Sequence, residues 1–182
     1  MTELFADRVE SAIGTILIIS DGTRLRSLDY LGYDHRMDKL LVARYGDYAL
    51  RDETDPGGAS SAVRAYLAGD LRAIDALAVS TDGSPFQERV WAELRRIETG
   101  TSISYGELAR RVGQPTASRA VGHANSLNPV AIVVPCHRVI GANATLTGYA
   151  GGLHRKRWLL EHEGVHVPAG PSTRNEAQIS LL

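Results

Sequence analysis

The hydrophobic pattern divides the chain near residue 80. Residues 13–20 form a nearly unbroken apolar and β-branched run. Asp21-Gly22 is a turn signal, and residues 25–31 are a second candidate strand, so the two predict a β-hairpin. Residues 52–61, rich in Asp, Gly and Ser, predict a loop. Ala62, Val63, Tyr66 and Leu67 recur at helical spacing before Gly69, and 74–79 predict one more strand. Thr81-Asp82-Gly83-Ser84 then reads as a turn and a domain boundary.

Beyond that turn the period is helical. Ser84-Pro85-Phe86-Gln87 carries the signature of a capping box, with Ser at the cap, Pro at the first helical position and Gln three residues on. Phe86, Val90, Trp91, Leu94 and Ile97 continue that helix until Gly100. Ser104-Tyr105-Gly106-Glu107 opens a second helix reaching Val112, Gly113-Gln114-Pro115 connects, and Thr116 opens a third helix running to Asn125. Two short helices around a Gly-containing turn fit a helix-turn-helix or a plain helical hairpin equally well. Residues 131–134 predict a buried strand, a Gly-rich stretch follows at 148–152, and a last helix spans 153–163 before Gly164. Residues 167–182 read as a frayed tail.

Composition narrows the class. At 182 residues with 43% hydrophobic and 23% charged positions, the chain has the make-up of a soluble globular protein able to bury a core without staples. Its longest apolar run is far short of the roughly 20 residues of a membrane helix, and acidic Glu3, Asp7 and Glu10 do not suit a signal peptide. A cytoplasmic location is expected. The net charge of −1 conceals a split: residues 1–84 hold 9 basic against 14 acidic side chains (net −5), and residues 85–182 hold 11 against 7 (net +4). The basic half hints at nucleic acid, although most charged runs are simply solvated faces.

Cys136 is the single cysteine, so neither an internal disulfide nor a Cys-rich zinc site is possible. A lone Cys is commonly an inert core residue. Here, however, Pro135-Cys136-His137-Arg138 places polar groups where an apolar run ends, and a neighbouring base activates a thiol. In an extended strand Cys136 and His137 point to opposite faces, so pairing them requires a backbone turn or a relaying water. In the third helix Thr116, Ala117, Ser118, Ala120, Gly122 and Ala124 are all small, with Arg119 the one long cation among them. That surface suits close approach to a duplex or tight packing on a neighbouring helix. His162-Glu163-Gly164-Val165-His166 matches the zinc-protease pattern, but that chemistry needs both histidines on one helix, and Gly164 should end it. No metal is expected.

The motifs Pro85-Phe86-Gln87, Ser104-Tyr105-Gly106-Glu107-Leu108-Ala109, Arg119-Ala120-Val121-Gly122, Asn128-Pro129-Val130, Pro135-Cys136-His137-Arg138-Val139 and Gly148-Tyr149-Ala150-Gly151-Gly152 stand in one order. Together they resemble the O6-alkylguanine-DNA alkyltransferase family, the methylated-DNA–protein-cysteine methyltransferases, over about residues 83–164. The resemblance implies an α/β (α+β) fold: an RNase H-like α/β domain at 1–80, a linker at 81–84 and a winged helix-turn-helix domain at 85–166. It implies that Cys136 accepts the alkyl group from guanine O6, with thymine O4 as a further candidate donor, once and permanently. His137 takes the thiol proton through a water, Glu163 holds His137, Tyr105 stabilises charge on the base and Asn128 braces the turn. Tyr149, Ala150, Gly151, Val139 and Val134 then line the substrate pocket. Thr116, Ala117, Ser118, Arg119, Ala120 and Gly122 face the DNA minor groove, with Arg119 replacing the flipped nucleotide. Arg138 forms a structural ion pair whose partner is not legible. No cofactor is implied, and the free protein is expected to be a monomer located with the DNA. Ala150 stands where some members carry Ser, which bears on one hydrogen bond to the guanine and on the alkyl groups accepted. The alternative is a non-catalytic alkylated-DNA-binding module, against which Cys136 itself argues.

Overall fold

The computed structural model describes residues 1–168. Four strands, β1 (Thr2–Val9), β2 (Ile16–Ser20), β3 (Leu25–Tyr30) and β4 (Tyr48–Asp52), form one sheet in the order β3-β2-β1-β4. The β1–β2 and β2–β3 pairs are antiparallel, and β1–β4 is parallel. Helix α1 (Asp34–Tyr45) makes the crossover to β4. Every residue of β2 is buried, because both faces of the sheet are covered. Ile16 and Ile18 face the main core, while Leu17 and Ile19 face a smaller one with Leu4, Ala6, Met37 and Leu41. A strand buried on both faces reads as a continuous apolar run, which is why the hairpin was legible.

Helix α2 (Ala59–Leu67) follows, then α3 (Pro85–Leu94), α4 (Tyr105–Arg111), α5 (Ser118–Ser126) and α6 (Leu153–His162). Two short parallel strands, β5 (Ile103–Ser104) and β6 (Val139–Ile140), complete the elements. Ser84 forms the expected capping box with Gln87. The main core runs without a break from the sheet into the helices: Tyr30, Val63 and Tyr66 share it with Trp91, Leu94, Val121, Val139 and Leu159. Among the described residues no helix is long and apolar enough to cross a membrane.

Several expectations need correction. Residues 74–79 are not a strand: successive turns (Asp75 N to Arg72 O, Leu77 N to Ile74 O) coil the segment, and only Val79 makes a bridge, to Leu25. Residues 131–134 are buried but turned: Ile132 has φ +69°, Val133 N donates to Ala131 O at 2.8 Å, and Val134 N to Val130 O at 3.0 Å. A short apolar run reports burial, not conformation. The third helix begins at Ser118, two residues beyond Thr116, and the first C-terminal helix ends at Leu94, with Ile97 buried in the turn that follows. Val167 is buried rather than frayed, and Arg157 donates to the carbonyls of Val167 and Pro168. The rest of the expected tail, 169–182, lies outside the described residues. Strands β1 and β4 and helix α1 had no counterpart in the pattern read from the sequence.

The sheet positions the segment that follows α5. Leu28 N donates to Pro129 O and Ala131 N donates to Leu28 O, both at 2.9 Å, while Ser27 Oγ donates to Pro129 O at 3.0 Å. The free edge of β3 therefore anchors the chain a few residues ahead of Cys136.

Candidate active site

The backbone does turn at Cys136, as the alternative of a local turn required. Residues Cys136–Arg138 form one 3-10 turn with Cys136, His137 and Arg138 all buried. Asn128 braces the segment that leads into it: its Nδ2 donates to Val134 O at 2.7 Å, and its Oδ1 accepts from Val130 N at 3.0 Å. His137 Nε2 lies 3.0 Å from Glu163 Oε1, with both side chains fully buried. Burial holds the His137 pKa below its ordinary value, so the ring is neutral. Glu163 is held well below the usual carboxylate range by His137 and Arg138, against the opposing effect of its burial, and is therefore ionised. A carboxylate on Nε2 fixes that nitrogen as the donor, leaving Nδ1 with a lone pair. Nδ1 is buried and has no protein partner.

Glu163 sits just past α6 and is the hub. Arg138, whose partner the sequence did not disclose, reaches Glu163 Oε2 from Nε at 2.8 Å and Oε1 from Nη2 at 2.9 Å. Its remaining donors reach Ile97 O and Thr99 Oγ1. Tyr66, from the N-terminal half, donates to Glu163 Oε1 at 2.7 Å. Sequence reasoning missed Tyr66, because nothing local in α2 marks a tyrosine for a carboxylate nearly a hundred residues away.

Cys136 opens onto a slot of about 20 Å3, shared with Tyr149, Ala150, Gly151, Asn125 and Arg36. Tyr149 Oη and Tyr30 Oη are 3.0 Å apart, and a Cβ on Gly151 would strike the Tyr30 ring at 2.5 Å, so β3 also walls the slot. Val134 and Val139 do not line it; their side chains are in the core. Burial pushes the Cys136 thiol pKa up, opposed by a hydrogen bond from Asn128 and by the charges of Lys156 and Arg36. Lys156 is fully buried, its pKa lowered to about 8 by that burial, and its Nζ donates to Thr147 O and Gly148 O at 2.8 and 3.3 Å. The Tyr105 hydroxyl faces the same two carbonyls at a long 3.4 Å. Lys156 and Arg36 were not singled out in the sequence. A wider groove of about 560 Å3, lined by Arg95, Thr99, Pro135 and Arg138 among others, does not include Cys136.

On α5, Arg119 and Ala120 are exposed, Thr116 is exposed just ahead of the helix, and Ala117, Ser118 and Gly122 are half-buried. A Cβ on Gly122 would rest on the Tyr105 ring at 3.7 Å, so part of the small-residue surface faces α4. His162 and His166 do not share a helix: α6 ends at His162, Gly164 has φ +85°, and His162 Nε2 pairs with Tyr66 O at 2.8 Å.

Residues 85–165 match the family model for the DNA-binding domain of 6-O-methylguanine DNA methyltransferase. The methylated-DNA–protein-cysteine methyltransferase of Shigella flexneri is 48% identical over 167 residues, covering 90% of this chain and 98% of that protein. The chain belongs to that family. The methylated-DNA–protein-cysteine methyltransferase of Mycobacterium bovis is 43% identical over 164 residues, 88% of this chain and 93% of its own. The crystal structure of the Mycobacterium tuberculosis O6-methylguanine methyltransferase superposes with a TM-score of 0.73 at 36% identity, covering 92% of this chain and 96% of that one. The M. tuberculosis protein solved in complex with DNA gives 0.71 at 37% identity, covering 88% and 92%. The similarity to family members thus extends well beyond the matched 85–165 segment, into the strands that hold the Cys136 turn.

Proposed function

We propose that this chain repairs O6-alkylguanine in double-stranded DNA by moving the alkyl group to its own Cys136. The observation that carries the proposal is the buried turn in which Cys136 stands beside a neutral His137 oriented by an ionised Glu163. The Cys136 sulfur attacks the alkyl carbon and a C–S bond forms. The C–O6 bond breaks, and its electron pair leaves with the guanine. The thiol proton passes through a water to His137 Nδ1, and Glu163 stabilises the resulting imidazolium. Guanine, left as an anion, takes up a proton at N1. Tyr105 donates a hydrogen bond to the base as charge develops, Asn128 holds the turn, and Tyr149, Ala150 and Gly151 confine the alkyl group. The thioether is permanent, so each molecule acts once.

Residues 1–80 act as an RNase H-like α/β support, a reading favoured by the sheet order and the parallel β1–β4 pair. Residues 81–84 link it to a winged helix-turn-helix unit at 85–166 built on α4 and α5. Helix α5 and the two residues ahead of it enter the minor groove, with Thr116, Ala117, Ser118 and Ala120 against the backbone and Gly122 letting α5 sit close on Tyr105. Arg119 fills the gap left by the extruded nucleotide, whose flipping costs roughly a few kcal/mol. The protein works as a monomer in the cytoplasm, on the nucleoid. The test is to mix protein with an O6-methylguanine oligonucleotide and weigh the intact chain. One added methyl group, lost in Cys136→Ala, is expected. An unchanged mass with retained binding to the modified DNA would replace the proposal with the non-catalytic binding module.

A further inference from the structure

The loop that walls the slot is held on both flanks, and one of its anchors reaches into the N-terminal half. Residues 148–151 line the slot beside Cys136. Gly152 N closes a turn onto Tyr149 O at 3.0 Å, and buried Lys156 takes the carbonyls of Thr147 and Gly148 on the upstream flank. The downstream flank belongs to Arg155, in the first turn of α6. Its Nη1 donates to Gly151 O at 2.8 Å, and its Nε donates to Ile13 O at 2.7 Å. Ile13 lies in the connection between β1 and β2. One guanidinium therefore ties the pocket loop to the sheet of the first half.

The same group is stacked on aromatic rings. The Arg155 guanidinium carbon lies 4.4 Å from the centroid of the Tyr30 ring and 5.6 Å from that of Tyr33. Tyr30 ends β3, is buried, and pairs its hydroxyl with that of Tyr149. Tyr33 stands immediately before α1. The chain leaves room for this approach at Gly14, which has φ +101° and where a Cβ would come within 3.1 Å of Arg155 Nη2. Only arginine meets all these demands. Its planar fork donates in two fixed directions while its face lies on a ring, whereas a lysine ammonium is a compact point charge. The relay of Cys136, His137 and Glu163 makes no use of it.

We infer that Arg155 is a positioning residue that clamps the Gly151 end of the pocket loop to the β1–β2 connection and to Tyr30, and so sets the width of the slot beside Cys136. The inference rests on the alkyl-transfer reading of the site and gives the N-terminal half a part in it. The wall that confines the alkyl group is tied down from residues 13 and 30. A wall released from one anchor places a small group less well and yields to a larger one.

The experiment compares the wild type with Arg155→Ala, Arg155→Met and Arg155→Lys in two assays. The first is single-turnover transfer from oligonucleotides carrying O6-methylguanine or O6-benzylguanine. The second is alkylation of Cys136 by iodoacetamide in the native chain without DNA. The benzyl-to-methyl rate ratio is expected to rise about fivefold in Arg155→Ala and Arg155→Met, the worth of one ordinary hydrogen bond. Iodoacetamide should react faster by a similar factor. Arg155→Lys keeps the charge but loses the fork, so it should follow Arg155→Met rather than the wild type. The ratio is taken within each protein, so a general loss of activity cancels, and thermal melting confirms that the variants are folded. An unchanged ratio with an unchanged iodoacetamide rate in folded variants overturns the inference, leaving Arg155 as packing alone. Failure of the wild type to gain an alkyl group from either oligonucleotide overturns the alkyl-transfer reading instead, and the iodoacetamide rates then still decide whether Arg155 holds the slot narrow.

Discussion

Glu163 takes hydrogen bonds from three side chains, and each has a separable consequence. Arg138 neutralises it inside the core, so Arg138→Met strands a buried carboxylate. Breaking one partner of a buried pair costs about 3–5 kcal/mol, which equilibrium urea unfolding will measure. Tyr66 adds a neutral donor on the same oxygen that faces His137. Tyr66→Phe makes that oxygen a stronger acceptor, so the His137 pKa rises. In the proposed relay transfer requires the neutral imidazole, hence the acid limb of the rate–pH profile should move to higher pH in this variant. An unmoved limb would show that Tyr66 only packs. In the wild type, burial lowers the His137 pKa, so transfer should persist as the pH falls through 6.5. The stability linkage has the same sign for both groups. The depressed Glu163 pKa contributes stability that is full above its unfolded value of 4.5 and lost as the pH falls toward its folded one. The lowered His137 pKa adds stability that begins to be lost below 6.5.

At the scale of elements, the junction before α3 is the most constrained. The Ser84 capping box fixes the start of the helix, and a Cβ on Gly83 would come within 2.3 Å of the Trp91 ring. Ser84→Ala should cost about 1 kcal/mol. Gly83→Ala should cost about 1–3 kcal/mol by overpacking, read as a lowered urea midpoint. These features were legible because caps and glycines act locally. Helix α1 was not: its apolar contribution is confined largely to Met37 and Leu41, too few to set a period. Strand β1 alternates buried and exposed positions imperfectly, with Asp7 and Arg8 in its course, and gains its partners from β2 and β4. The turn at 131–134 has the apolar sequence of a strand, because burial on β3 and a positive φ at Ile132 are tertiary outcomes. Within the site, Cys136, His137 and Asn128 stand in recognisable motifs, whereas Tyr66, Arg155 and Lys156 acquire meaning only when distant segments meet.

The whole molecule shares one main core, with Tyr30 and Tyr66 from the first half meeting Tyr149 and Glu163 from the second. A methyl group on Cys136 must fit a slot of about 20 Å3. Overpacking should destabilise the product by about 1–3 kcal/mol, several degrees in Tm for a chain of this size, which calorimetry before and after reaction will show. That same narrow slot has a consequence for storage. A reagent that works once is wasted by any stray electrophile or oxidant that reaches it first. Cys136 waits as a thiol rather than a thiolate, behind walls that admit little more than a water molecule. Iodoacetamide should therefore modify the native chain far more slowly than the urea-unfolded one, with intact mass as the readout. On this reading the tight pocket spares the unused protein from such reagents.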